Sequence, residues 1–133
     1  MKMPCLKTVR ILIVEDNEIA TRCAETILKG IDSGILLDFA KNGTEAVEKA
    51  SAQAYNLIFM DVGLPDFQGT EATRRIRAQE TEKNREPVPI IGLTAHADAE
   101  PCLNAGMQAC LTKPLRIEQA VEIIEKYLFK LKV

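Results

Sequence analysis

The chain has 133 residues, a length that suits one domain built around a single core. A hydrophobic content of 47% excludes a disordered chain, and 17 basic against 19 acidic residues leave no electrostatic footprint for nucleic acid or an acidic membrane. No apolar run approaches the length of a membrane span, and no secretory signal is evident.

Residues 1–8 lack a core pattern and read as a disordered or vector-derived start; residues 9–133 read as one folded domain. VRILIVE (9–15) is a short β-branched run, expected as a strand buried on both faces. Residues 17–30 carry Ala20, Cys23, Ala24, Ile27 and Leu28 at helical spacing, with Gly30 as the expected C-cap and Cys23 in the core. ILLDFA (35–40) is the second strand. Asn42, with Glu45 three residues on, predicts a capping box opening a helix to about Ala52. YNLIFM (55–60) is the third strand, and a polar helix follows from Thr70 to about Glu80. VPIIGLT (88–94) is the fourth strand; a short helix over 98–105 has Pro101 in its first turn, where proline is tolerated. ACLT (109–112) is the fifth strand, and Ile117, Ala120, Val121, Ile124, Leu128 and Leu131 line one face of a final helix; Ile123 and Tyr127 lie beside that stripe, where they either widen the core contact, the favoured reading, or form a small partner or dimer surface. This alternation predicts a flavodoxin-like (βα)5 fold: a five-stranded parallel sheet in the order 2-1-3-4-5 with helices on both faces.

The four cysteines, Cys5, Cys23, Cys102 and Cys110, form no CxxC pair and no zinc-like cluster with the single histidine, His96. They read as free thiols of a reducing cytoplasm. The run Arg74, Arg75, Arg77 reads as a solvated helix face.

Ligands of open parallel sheets bind beyond the carboxyl ends of the strands. Strand one ends in Glu15 and Asp16, strand three in Asp61, strand four in Thr94, and strand five is followed by Lys113. Four strands thus deliver polar groups to one edge. Three carboxylates against one ammonium leave an excess of negative charge that a divalent cation would balance, and oxygen-only ligands favour Mg²⁺ over zinc or copper. An aspartate can accept a phosphoryl group as a nucleophile, and phosphoryl transfer asks mostly for positioning and charge neutralisation. Lys113 and the Thr94 hydroxyl can each pair with a phosphoryl oxygen.

These segments, ILIVEDN (11–17), IFMDVGLPDFQG (58–69), IIGLTAHA (90–97) and CLTKP (110–114), resemble the receiver domains of two-component response regulators, most of all those within hybrid histidine kinases. The resemblance implies a signalling switch that takes a phosphoryl group from a phosphohistidine and catalyses its own dephosphorylation. It casts Asp61 as phosphoacceptor and Asp16 as direct Mg²⁺ ligand, with Glu15 as its companion. Gly63 would add a backbone carbonyl to the metal, and Mn²⁺ is the alternative ion. Thr94 is cast as the switch hydroxyl, the Ala95 amide as a phosphoryl donor, and Lys113 as the site lysine followed by a cis bond to Pro114. Implied partners are a sensor histidine kinase or a histidine phosphotransfer domain, in the cytoplasm or on the cytoplasmic side of a membrane-bound hybrid kinase, with Ile19 and Leu115 as exposed docking residues. Histidine-kinase activity would belong to the protein only as part of such a kinase. Neither nucleic acid nor membrane is expected to contact this domain, and its oligomeric state is open.

Two departures stand out. Cys110 occupies the position, three before the lysine, where many receivers carry Tyr or Phe. The stretch from Thr94 to Gly106 is about three residues short, predicting a fourth helix reduced by nearly a turn, while Asp61 to Thr94 is longer by about as much. A receiver-like module that is never phosphorylated is therefore the competing reading. A flavin binder fits poorly, because Glu15-Asp16-Asn17 would repel a phosphate where a flavodoxin needs a cradle; an aspartate-dependent phosphatase would need an acid at Gly63. His96 reads as an exposed residue near the mouth of the site.

Overall fold

The computed structural model describes residues 9–95 and 99–128. The elements run β1 (Arg10–Val14), α1 (Glu18–Ile31), β2 (Leu36–Ala40), α2 (Gly43–Ala52), β3 (Leu57–Asp61), α3 (Gly69–Glu82), β4 (Ile90–Thr94), α4 (Glu100–Ala105), β5 (Ala109–Thr112) and α5 (Ile117–Leu128). All strand pairs are parallel, in the order β2-β1-β3-β4-β5. Among the described residues, no helix is long and apolar enough to cross a membrane.

Side chains alternate along a strand, so each central strand feeds two cores. Ile11, Ile13, Leu57, Phe59, Ile91 and Leu93 point to one face, where Ala24 and Leu28 of α1 and Ala120, Ile123 and Ile124 of α5 cover them. Leu12, Val14, Ile58, Met60 and Ile90 point to the other, against Ala46 of α2, Ala72 and Ile76 of α3, and Cys102 of α4. Burying each large aliphatic side chain this completely is worth about 1.5–3 kcal/mol. The continuous apolar runs of β1, β3 and β4 are the sequence imprint of this two-sided burial.

Several local expectations need correction. Helix α1 does not stop at Gly30; it runs to Ile31 and is capped by Asp32, whose amide reaches Leu28 O. Cys23 is exposed rather than in the core: the buried stripe of α1 is centred on Ala24 and Leu28, which turns Cys23 outward. The Asn42 side chain caps α2 as expected, accepting from the Glu45 amide at 2.8 Å. Glu45, however, accepts from the Lys41 amide rather than from Asn42, so the reciprocal half of the box is displaced by one residue. In α5, Ile117 is half exposed, while Ile123 is buried and Tyr127 packs against the core. Leu131 and His96 lie outside the described residues.

Candidate functional site

The site is assembled where the strands leave the sheet. Beyond β1, the Glu15 amide still bonds to Ala40 O at 2.9 Å, which holds its side chain inward and buried. Asp16, one residue on, is exposed. Asn17 caps α1 through its side chain and donates its own amide to Glu15 Oε2 at 3.1 Å. Asp61 is the last residue of β3 and only 1% exposed. Thr94 is the last residue of β4, and its carbonyl accepts from the Lys113 amide at 2.7 Å, which fixes where the lysine leaves β5. The Lys113–Pro114 bond is cis.

These anchors bring side chains from three strand ends together. Lys113 Nζ lies 2.9 Å from Asp61 Oδ1 and 3.3 Å from Glu15 Oε1. Ligand oxygens of Glu15, Asp16 and Asp61 all fall within 4.8 Å of one another. The Gly63 amide donates to Asp61 Oδ1 at 3.1 Å. Asp61 Oδ2 is buried and accepts no hydrogen bond from the described residues. Burial raises the pKa of Glu15, and the Asp61 charge adds to the rise against the opposing Asn17 amide and Lys113 ammonium. Burial works against the Lys113 charge, but Asp61 and then Glu15 outweigh it and hold the ammonium above its ordinary pKa.

One ammonium cannot balance three carboxylates, and the surplus is concentrated around a buried oxygen with no partner among the described residues. An unpaired buried carboxylate oxygen costs free energy unless something else supplies the partner. An all-oxygen donor set with this surplus fits a hard divalent cation such as Mg²⁺.

Gly63 and Ala95 are both exposed, in the loops after β3 and β4. Ile19 is 75% exposed, as expected, but Leu115 is buried at the edge of the α1–α5 core. Both still line one cleft, with Cys23, Lys113 and Pro114, that runs from Glu15 along α1.

Residues that the sequence reading passed over support this site. Gly69 closes the β3–α3 loop onto Val62 O, and a Cβ there would sit 2.2 Å from the Asp61 carbonyl oxygen; only glycine lets the loop return so close. The Asp66 carboxylate accepts from the amides of Gly43 and Thr44 and from the Thr44 hydroxyl, tying the loop to the start of α2. Both residues stand inside the segment 58–69 that carries Asp61, so position relative to Asp61 is the sequence signal that marks them. Of the arginine run, Arg74 and Arg75 are exposed and pair with Glu71. Arg77 departs from the expected solvated face and is half-buried against Glu80, Gly106 O and Gln108.

The response regulator receiver domain model matches residues 11–125. The chain belongs to the response regulator receiver domains. It is 36% identical over 121 residues to the sensor protein GacS of Pseudomonas syringae pv. syringae, which covers 89% of this chain but only 13% of that protein. It is similar to the receiver domain of the sensor histidine kinase PA1611 from Pseudomonas aeruginosa, solved with a magnesium ion coordinated in its active-site cleft. That likeness has a TM-score of 0.79 and 38% identity, over 92% of this chain and 98% of the other. A further likeness, with a TM-score of 0.86 and 31% identity, covers 94% of this chain and 92% of a chain in the co-crystal of the Saccharomyces cerevisiae phosphotransfer protein Ypd1 with the Ssk1 receiver domain. The receiver fold thus spans nearly the whole chain, while the chain spans a small fraction of GacS.

Proposed function

We propose that this receiver accepts a phosphoryl group on Asp61 and uses that modification as a signalling switch. The observation that carries the proposal is the unbalanced cluster: buried Asp61, with one oxygen on Lys113 and the other without a partner among the described residues, facing Glu15 and Asp16. In the transfer, an Asp61 oxygen forms a bond to phosphorus as the phosphorus–nitrogen bond of a phosphohistidine breaks. The electron pair departs with the ring nitrogen that carried phosphorus, and a proton on the other ring nitrogen of the phosphohistidine lets the imidazole leave neutral. Lys113 holds Asp61 in place and offers its ammonium to a phosphoryl oxygen. The Thr94 hydroxyl and the Ala95 amide, at the end of β4, are assigned the remaining oxygens.

Glu15, Asp16, Asp61 and the Gly63 carbonyl would hold Mg²⁺, with Mn²⁺ able to replace it. The ion would neutralise the carboxylates and the incoming phosphoryl oxygens. The same arrangement would admit water for self-catalysed dephosphorylation. The donor would be a histidine kinase or histidine phosphotransfer domain, meeting the receiver in the cytoplasm along the cleft that Ile19 and Leu115 line. The GacS and Ypd1–Ssk1 likenesses support a donor of that class. We take residues 9–133 as the functional domain, which the family match over 11–125 supports.

Incubation with acetyl phosphate and Mg²⁺, followed by intact-mass measurement, tests this reading. The expected result is the gain of one phosphoryl group, absent without the ion and absent in Asp61→Asn. No gain from acetyl phosphate or from a phosphorylated phosphotransfer domain would favour the module that is never phosphorylated.

A further inference from the structure

A second chemical site lies one strand away. Helix α4 has only six residues, and Gly106, at φ 110°, ends it in the left-handed conformation that glycine tolerates best. The chain closes there with the Met107 amide on Cys102 O and enters β5 almost at once. This compact return sets the Cys110 and Cys102 sulfurs 2.9 Å apart. The room for them comes from the neighbouring strand. Gly92 of β4 pairs with Cys110, and a Cβ at Gly92 would lie 2.7 Å from Met107 Sδ, 3.1 Å from Cys110 Sγ and 3.4 Å from Cys102 Sγ. Three sulfurs therefore fill the space left by a missing side chain.

Cys102 is 2% exposed; Cys110 is half-buried, and both are free thiols. Cys110 stands three residues before Lys113 on the strand whose register fixes that lysine beside Thr94.

We propose that Cys102 and Cys110 are a modification site: a vicinal thiol pair that a peroxide converts to an intramolecular disulfide, stapling α4 to β5. Cys110, the more exposed of the two residues, attacks a peroxide oxygen as thiolate; the O–O bond breaks, and the departing oxygen takes up a proton and leaves as water. Cys102 then attacks the resulting sulfenic sulfur, the S–S bond forms, and the sulfenic oxygen leaves as a second water. Two thiols are oxidised and one peroxide is reduced to two waters. The S–S bond is shorter than the present separation, so a small shift of α4 toward β5 completes it. Burial, reinforced by the Cys102 sulfur, pushes the Cys110 thiol up to about 12, so its thiolate is scarce at neutral pH and the reaction is slow there. It accelerates as pH rises toward that value. The pair stands apart from Asp61 chemistry, so this proposal holds or fails independently of phosphorylation.

The test is oxidation of the reduced protein with hydrogen peroxide at neutral and at mildly alkaline pH, then alkylation under denaturing conditions and peptide mapping. The expected product is a peptide pair joined through Cys102 and Cys110, with both sites protected from alkylation. It should form severalfold faster at the alkaline pH and be reversed by dithiothreitol. Cys102→Ser and Cys110→Ser should each abolish it, while Cys23→Ser should not. A map of the wild-type protein decides the matter even where a variant folds poorly. Overoxidation of Cys110 alone, a linkage through Cys23, or full alkylation of Cys102 and Cys110 after peroxide treatment would each overturn the proposal.

Discussion

Two charge clusters in this domain share ingredients and differ in closure. On the α3 side, Arg77 donates to both Glu80 oxygens, at 2.8 and 3.0 Å, and to Gly106 O and Gln108. Glu80 also accepts from the Val88 amide, and Gln108 from the Ile90 amide. One cation meets one anion, and backbone groups take up the remaining capacity. At the strand ends, one ammonium serves two buried carboxylates with a third nearby, and a buried Asp61 oxygen has no partner among the described residues. The first cluster is finished by the chain itself and ties α3 to the α4–β5 turn and the entry of β4. The second is left incomplete in the way that a ligand-binding site is.

That contrast can be broken by experiment. The largest effect is expected from Asp61→Asn, which should abolish phosphoryl gain while leaving the circular dichroism spectrum unchanged; loss of fold would mean that the acid is structural. Glu80→Ala should do the reverse. It strips partners from Arg77 and the Val88 amide and should cost about 2–3 kcal/mol in chemical denaturation, with phosphoryl gain intact. Mg²⁺ should stabilise wild type and Glu80→Ala alike, by about 2.7 kcal/mol at a hundredfold excess over its Kd. Asp16→Asn should lose most of that increment at the same concentration. If Glu80→Ala loses it instead, the two clusters are not separable.

The smallest effect is a pH dependence. The pKa of Glu15 is raised in the folded state, so folding takes up protons there. The resulting stability is fully present below the ordinary carboxylate pKa and is lost as pH rises through the raised value. Metal-free wild type measured against Glu15→Gln should therefore lose relative stability as pH climbs across that window. A flat difference between the two would remove the claim that burial penalises this carboxylate.

The site was legible because strand ends are legible. Apolar runs stopping at Glu15, Asp61 and Thr94 mark where β1, β3 and β4 leave the core, and a parallel sheet sends all those ends to one edge. Lys113 needed more, since a lysine after a strand is ordinary until a carboxylate is known to face it. The short α4 was likewise legible from the Thr94–Gly106 spacing, set against that of the receivers the chain resembles. Cys23 was not: helical spacing allows a broad apolar stripe, and only the packing of α1 on the sheet decided that Ala24 and Leu28 sit at its centre. Arg77 looked like its neighbours Arg74 and Arg75, and its partners at Gly106 and Gln108 are distant in sequence.

The sequence by itself determined the alternation of strands and helices, the two-sided burial of the central strands, and which acids stand at the carboxyl edge. These follow from local hydrophobic period and chain order. Only the tertiary structure decided which Asp61 oxygen Lys113 holds and which has no partner among the described residues. It alone brought Cys102 and Cys110 into contact over Gly92. Such facts depend on distances between side chains from different elements, set by sheet register and helix packing, and no local pattern encodes them.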